Sequence, residues 1–514
     1  MGRGTREGVG VASQLFRTKS IDKLLQDAEL PERRLKKTLG WLSLTALGIG
    51  AIIGTGIFVL TGTAAAGEQV KYPSLLKAPL LDVLLHGTHA AGIAGRPGAG
   101  PGIALSFLLV AVACGFAGLC YAELASMIPI AGSAYTYTYA TLGELVAWII
   151  GWDLILEYAV SNMAVAVGFS AYIDSLLGTF GMHLPAALSL PAYTPATGWA
   201  LHFNVVGFLV VMLLTVLLVI GIRETAEANS VMVGIKLVAI FLFLVFASKY
   251  IQRANWHPFM PNGWQGVLTG GAIVFFTYIG FDSVSTAAEE CRNPRRDLPL
   301  GILCSLLVCA ALYVSVAVVL TGAQHYWIFK GDAAPVATAL RNLGLDRLQR
   351  WVTIGALMGM VSSLLVFQLG QARIWFAMSR DGLLPQGFSR VHRRFRTPHV
   401  ATWVAGLVVG IPAGIFDIGT LADLSNIGTL FAFILVALAV LILRGTQPER
   451  ARGFRVPFVP LFPILSVLTC VILMASLTVE NWIRFFVWLA IGLIIYFTYS
   501  RRRSALAQEG AFKR

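Results

Sequence analysis

The sequence predicts an all-α polytopic membrane protein of twelve transmembrane helices, the first and sixth of them broken. Three observations carry this. The 514 residues are 57% hydrophobic and only 13% charged, with a mean hydropathy of +0.74. Soluble domains carry about a quarter charged residues, so much of this apolar surface must face lipid. Twelve apolar runs approach the roughly 20 residues that a helix needs to cross a bilayer. Glycine-rich interruptions fall in two of those runs at corresponding places.

The runs lie at about Leu42–Ala66, Gly102–Ile128, Val146–Ile173, His202–Ile222, Ser230–Tyr250 and Gln265–Ala288. They continue at Leu300–Gly322, Val352–Met378, Val400–Phe416, Ala422–Leu443, Pro457–Val479 and Asn481–Tyr499. This divides the chain into a tail (1–41), two five-span halves (42–251 and 265–444), a closing pair (457–499) and a second tail (500–514). An even number of spans puts both tails on one side. With the tails inside, twenty-seven of the thirty-nine Lys and Arg fall in cytoplasmic segments, twenty-eight with Arg373 near the inner end of the eighth run, as positively charged flanks predict. Runs such as "RVHRRFR" would be outside if the count were odd.

The net charge of +13 therefore reflects topology, with contact to anionic lipid headgroups as a secondary consequence. No nucleic-acid-reading fold is visible, so no nucleic-acid partner is expected. Six cysteines, none in a CxxC pair, read as small buried hydrophobes, and no metal site or cofactor is expected. No cleavable signal peptide is visible, so the first span itself directs insertion. Before it, "SIDKLLQDAELPERRLKK" spaces Ile21, Leu24 and Leu25 as an amphipathic helix would. Residues 68–100 form a long outer loop.

The first span reads "GIGAIIGTGIF", with Gly48, Gly50, Gly54 and Gly56 in eleven residues. Each glycine costs roughly 1 kcal/mol in a helix interior. The GxxxG spacing of Gly50 and Gly54 is also what close helix packing uses. The sixth span, "GGAIVFFTYIGFDSVSTAAEE", is interrupted at Gly280, with Asp282 just beyond. Interruptions at matching positions of two halves point to an inverted-repeat transporter whose binding site lies at the breaks. Unwinding there exposes N–H groups at the start of one half-helix and carbonyls at the end of the other. Such groups are tolerated in a membrane where they line a cavity. They suit a zwitterion, whose carboxylate takes the N–H groups and whose ammonium takes the carbonyls.

Four stretches, "LGIGAIIGTGIFVLTG", "AGLCYAELASMIPIAGSAYTYTYATLGELVAWIIGWDLILEYAV", "FFTYIGFDSVSTAAEECRNPRRDLP" and "GQARIWFAMSRDGLLP", resemble the amino acid–polyamine–organocation superfamily. Within it they resemble the cationic amino acid transporter family and its bacterial members. The likeness runs from about Arg34 to the last spans and leaves out the outer loop and both tails. It implies a LeuT-type fold of five spans plus five inverted spans, with two helices added at the end. By position, it implies that Gly54, Thr55 and Gly56 offer N–H groups to a substrate carboxylate. Carbonyls of Ile52, Phe276 and Ile279, beside Gly280, would take the ammonium, and Phe276 would be the lid.

Lys236, in "NSVMVGIKLVAIFLF", is the most informative charge. A lysine at a helix centre costs roughly 2.5–3.5 kcal/mol on insertion scales, so it either snorkels to the interface or has a task. The task would be proton coupling, since a buried amine can exchange a proton as a cavity opens and closes, and the resemblance agrees, since some related permeases place a fifth-span lysine where sodium-coupled relatives bind sodium. Ser362 and Ser363 are candidates to line that site, or else bond to their own helix. By resemblance, Glu123 approaches the first break near Thr55 and supports substrate or proton binding; alternatively it caps the loop to Gly132. Asp153 and Glu157 share a helical face and, with Asp282, are candidates to line the cavity; Asp282 is also placed to cap the resumed half-helix. Leu365 and Val366 are apolar, leaving no evident acid there for a cationic side chain.

The reading is thus a secondary transporter of L-amino acids, proton-coupled and sodium-independent, in an inner or plasma membrane, with neutral substrates slightly ahead. A uniporter or exchanger of Arg, Lys or ornithine is the alternative, and a non-transporting amino-acid sensor is the alternative from another class. Pore rings or filter loops, which a channel needs, are not seen. Nor are HExxH, GxSxG or paired histidines in the spans, so no enzyme is expected.

Overall fold

A computed structural model describes residues 15–29, 37, 39–68, 74, 96–130, 132–194, 198–220, 225–395 and 397–505. Helix α1 (Ile21–Glu29) precedes the membrane region. It is the described part of the expected amphipathic segment, and it buries Ile21 and Leu24. The first span is a bent pair, α2 (Trp41–Ile52) and α3 (Gly56–Ala66), whose axes meet at 42°. Then come α4 (Ile103–Met127), α5 (Ser133–Thr141), α6 (Glu144–Gly178), α7 (Val205–Ile220) and α8 (Thr225–Ala247). The second half opens with α9 (Gly263–Val274), which tightens into 3₁₀ turns at Phe275–Tyr278 and Phe281–Glu290. It continues with α10 (Pro294–Ala323), α11 (Pro335–Asn342), α12 (Asp346–Arg380), α13 (His399–Ile415) and α14 (Ile418–Thr446). Helices α15 (Leu461–Ala475) and α16 (Val479–Ile495) close the chain, α16 running on through Tyr496–Ser500 and Arg501–Arg503.

Among the described residues, eight helices are long and apolar enough to cross a bilayer, and the bent pair makes a ninth. Three shorter apolar helices, α7, α13 and α15, stand where the fourth, ninth and eleventh spans are expected. α13 keeps the 17 residues of its expected run, while α7 and α15, with 16 and 15, are shorter than theirs. The turn at Pro398 precedes α13 and extended Phe416 ends it, while Pro460 sets the start of α15.

The arrangement is helix on helix. α10 packs along α4 and α2, α6 runs between α12 and α14, and α8 lies against α12 and α2. Two short hairpins sit outside this bundle. The first pairs β1 (Gly67–Glu68) with β2 (Arg96–Pro97) antiparallel and closes the base of the long loop, with an Arg96–Glu68 ion pair of 2.8 Å. Residues 69–73 and 75–95 of that loop lie outside the described residues. The second pairs β3 (Tyr193–Thr194) with β4 (Gly198–Trp199). The six cysteines are all free.

Candidate functional site

The two interruptions meet. Ile53 leaves the helical region at φ −81°, ψ 89°, ending α2, and the Gly54 N–H turns back to the Ile52 carbonyl at 3.1 Å. In the sixth span Ile279 is extended and Gly280 has φ +120°, a conformation that L side chains rarely adopt. Glycine is also needed for contact. A Cβ on Gly280 would stand 2.9 Å from the Ala51 Cβ, and one on Gly56 would stand 2.8 Å from the Thr277 Cα. The backbones of the two breaks therefore touch through their glycines.

The end of α2 carries four carbonyls without helical partners of their own, and three side chains from other helices take them. Lys236 Nζ donates to Gly50 O at 2.9 Å and to Ile53 O at 2.7 Å. Ser363 Oγ donates to Ala51 O at 2.8 Å. The Tyr313 hydroxyl lies 2.8 Å from Ile52 O and 2.7 Å from Thr277 O, and its single proton is shared between the two breaks. Lys236 is fully buried and reaches from α8 across to the end of α2. Its charge lies at the carbonyl end of a half-helix, where the macrodipole favours a cation. Gly359 of α12 makes the room, since a Cβ there would meet the Lys236 side chain at 3.1 Å.

Ser362 and Ser363 both bond to other helices instead of their own. Ser362 Oγ donates to Asn229 Oδ1 at 2.6 Å, and the Asn229 amide lies against Gly50. At the start of α3, the N–H groups of Thr55 and Gly56 stand where a helix offers no acceptor of its own. The Thr55 hydroxyl donates to Val165 O of α6 at 3.3 Å, and Gly168 gives it space. Phe276 is buried beside the second break, and its carbonyl accepts from Ile279 N–H at 3.3 Å.

Glu123 stands elsewhere, which corrects its expected approach to Thr55. Its carboxylate accepts from Arg444 Nε and Nη2 at 2.8 and 2.7 Å and from Val456 N–H at 2.7 Å, and Arg452 Nε lies 3.0 Å away. Two guanidiniums from the α14 end and the loop after it capture this acid and tie α4 to them. Asp153, Glu157 and Asp282 are brought near one another. Glu157 is within electrostatic reach of both others, and Asp282 Oδ2 accepts from the Tyr158 hydroxyl at 3.0 Å. Both Asp153 oxygens, Glu157 Oε2 and Asp282 Oδ1 are buried without a hydrogen-bond partner. Among the described residues they do not belong to any group of three or more acids, thiols or imidazoles fit to hold a metal.

Sequence reasoning missed Tyr313 and Asn229. A tyrosine alone in "CAALYVSVAVV" needs a polar partner at mid-span. Asn229, seven residues before Lys236, lies two turns away on the same face. Both signals were present.

The amino acid permease family model matches residues 39–498. The chain belongs to the amino acid permease family. The permease is 46% identical over 494 residues to the branched-chain amino acid permease BcaP of Bacillus subtilis, covering 96% of this chain and 99% of that one. It is 43% identical over 495 residues to the methylthioribose transporter of the same organism, again covering 96% and 99%. A vacuolar cationic amino acid transporter 2 of Arabidopsis thaliana is 37% identical over 447 residues, which is 86% of the permease but 64% of the plant protein. These relatives are transporters, not enzymes. With its apolar helices, the permease is a multi-pass membrane protein.

Proposed function

We propose that the permease is a secondary active transporter of L-amino acids that works by alternating access, coupled to protons and independent of sodium. The fold reading is twelve spans, a LeuT-type pair of inverted five-span repeats (42–251 and 265–444), and two further helices. Both tails face the cytoplasm, in an inner or plasma membrane. The substrate carboxylate takes the N–H groups of Gly54, Thr55 and Gly56. The ammonium takes carbonyls of Ile52, Phe276 and Ile279 beside Gly280, with Phe276 as the gate.

One observation carries the coupling. The Lys236 ammonium is fixed on two carbonyls of the broken first span, in the place a coupling cation would occupy. In this reading the amine takes up a proton when the site opens to the outside and releases it when the site opens to the cytoplasm. Ser362 and Ser363 shape that site. In this reading Glu123 holds α4 to Arg444 and Arg452 and is not assigned to the substrate or the proton.

Neutral substrates, including branched ones, lead, in keeping with the name of the first relative. The second reading, cationic substrates, is favoured by the unpartnered oxygens of Asp153, Glu157 and Asp282, which an ammonium or guanidinium side chain would satisfy. The test is uptake of labelled alanine, leucine, arginine and methylthioribose into sodium-free proteoliposomes, with and without an inward proton gradient. Gradient-driven accumulation of alanine or leucine supports the leading reading. Arginine uptake indifferent to the gradient and stimulated by internal arginine moves it to an exchanger, and substrate binding without any uptake moves it to a sensor.

A further inference from the structure

Both ends of the chain close on the same two residues, Glu144 at the start of α6 and Asp381 just after α12. From the N-terminal side, Lys19 Nζ pairs with Asp381 Oδ1 at 3.1 Å, and the Arg17 carbonyl accepts from Glu144 N–H at 3.1 Å. From the C-terminal side, Ala505 N–H donates to the Asp381 carbonyl at 3.0 Å, and the Ser504 hydroxyl donates to the Glu144 carboxylate. Each acid is thus held by its side chain from one tail and by its backbone from the other.

The surroundings reinforce this. Tyr496 and Tyr139 hydroxyls donate to the buried Glu144 carboxylate at 3.1 and 3.3 Å. Tyr135 donates to Asp381 Oδ2 at 2.7 Å, and Ser500 to Leu383 O at 2.6 Å. Gly382, at φ +77°, lies under the chain at Arg503, where a Cβ would stand 2.3 Å from the Arg503 carbonyl. The N-terminal segment then runs on to Leu39, whose N–H donates to Glu290 O at 3.0 Å and whose carbonyl accepts from Arg292 N–H at 2.9 Å. Cys291 lies fully buried beneath that pairing.

We infer that the two tails form one clasp over the inner ends of α6, α12 and the sixth span, and that it must release for the cytoplasmic side to open. The cytoplasmic placement rests on the transporter reading above. The clasp consists of many individually weak bonds. The Lys19–Asp381 pair keeps partial exposure at 17% and 13%, and such pairs break readily. That suits a contact made and broken in every cycle, and gives residues 500–505 a task in gating as well as in anchoring.

The test is peptide-resolved labelling of Cys291 by a membrane-impermeant maleimide in proteoliposomes, for the full chain and for Ser504→Ala, Lys19→Ala and the double variant. Ser504→Thr, which keeps the hydroxyl, serves as the conservative variant. Melting temperatures identify any variant that is simply unfolded. The clasp predicts labelling about fivefold faster in Ser504→Ala, as losing one ordinary hydrogen bond does to an opening equilibrium, and about twofold to fivefold faster in Lys19→Ala, whose ion pair is weaker. The double variant should be faster still and Ser504→Thr close to the parent. Unchanged labelling in folded Ser504→Ala and Lys19→Ala overturns the clasp. Should Ser504→Ala unfold, Lys19→Ala and Ser504→Thr decide alone. Because labelling needs no substrate, absence of amino acid uptake by the parent protein would sink the transporter reading and leave this result standing.

Discussion

Lys236 Nζ of α8 lies 2.7 Å from the carbonyl oxygen of Ile53, the residue at which the first span stops being helical. A cation placed on the end of a broken half-helix stabilises the break itself. Replacing it by Met leaves the carbonyls of Gly50 and Ile53 without this donor, at roughly 1–3 kcal/mol for each buried unsatisfied group. The Lys236→Met protein should melt lower, measured by tryptophan fluorescence on heating, and should lose gradient-driven accumulation.

Tyr313 spans both breaks, so Tyr313→Phe keeps the ring packing and deletes only the shared proton. Removing one bond of about 1–2 kcal/mol changes an equilibrium by a factor of about 5–30. The expected result is a KM for uptake changed by about that factor with little change in melting temperature.

Gly280→Ala should abolish transport and sharply reduce folded yield, measured by size-exclusion chromatography. Strain at a positive φ costs about 1–3 kcal/mol and overpacking against Ala51 costs about as much again. Gly115→Ala is the control. A Cβ there meets nothing within 4 Å, and the substitution should be neutral or stabilising by up to about 1 kcal/mol.

Glu123→Gln should destabilise the inner end without altering the pH profile of uptake. Breaking a buried ion pair from one side costs about 3–5 kcal/mol because the guanidiniums stay behind. A pH–rate profile parallel to that of the parent, with a lower melting temperature, is the expected pair of readings.

Cys291 offers a pH test outside the spans. Burial pushes its thiol up to about 11, with Asp297 adding to the rise and Lys37 and a backbone hydrogen bond at Asn293 opposing it. Labelling of the fully buried thiol proceeds through the opened protein, where the ordinary thiol value of about 8.5 applies, so with rapid opening the rate should climb about tenfold per pH unit between about pH 6 and 8. A rate independent of pH in that window would show that opening limits the reaction.

Much of this was legible in the sequence, for physical reasons. Gly54–Gly56 and Gly280 announce broken helices because glycine in mid-span is costly, and Lys236 and Ser363 announce themselves because polar groups in lipid need partners. The carbonyls that Lys236 takes were not legible, since they belong to the end of a helix 183–186 residues away in sequence. Glu123 misled because a carboxylate inside an apolar run reads alike whether its partner is substrate or arginine, and Arg444 and Arg452 lie in distant segments. Asn229 and Tyr313 carried readable signals, but their partners come from the packing of α8, α10 and α12. The clasp was invisible because the amphipathic pattern of the N-terminal tail begins at Ile21, beyond Arg17 and Lys19, and the C-terminal tail shows only its charge.

Whether Lys236 carries the coupling proton is read from substrate-driven pH change. Sodium-free proteoliposomes with a trapped pH indicator would be given external alanine or leucine, with labelled uptake followed in parallel. Internal acidification in step with uptake, abolished in Lys236→Gln while alanine exchange persists, is the predicted result. Acidification by Lys236→Gln equal to that of the parent protein would contradict it.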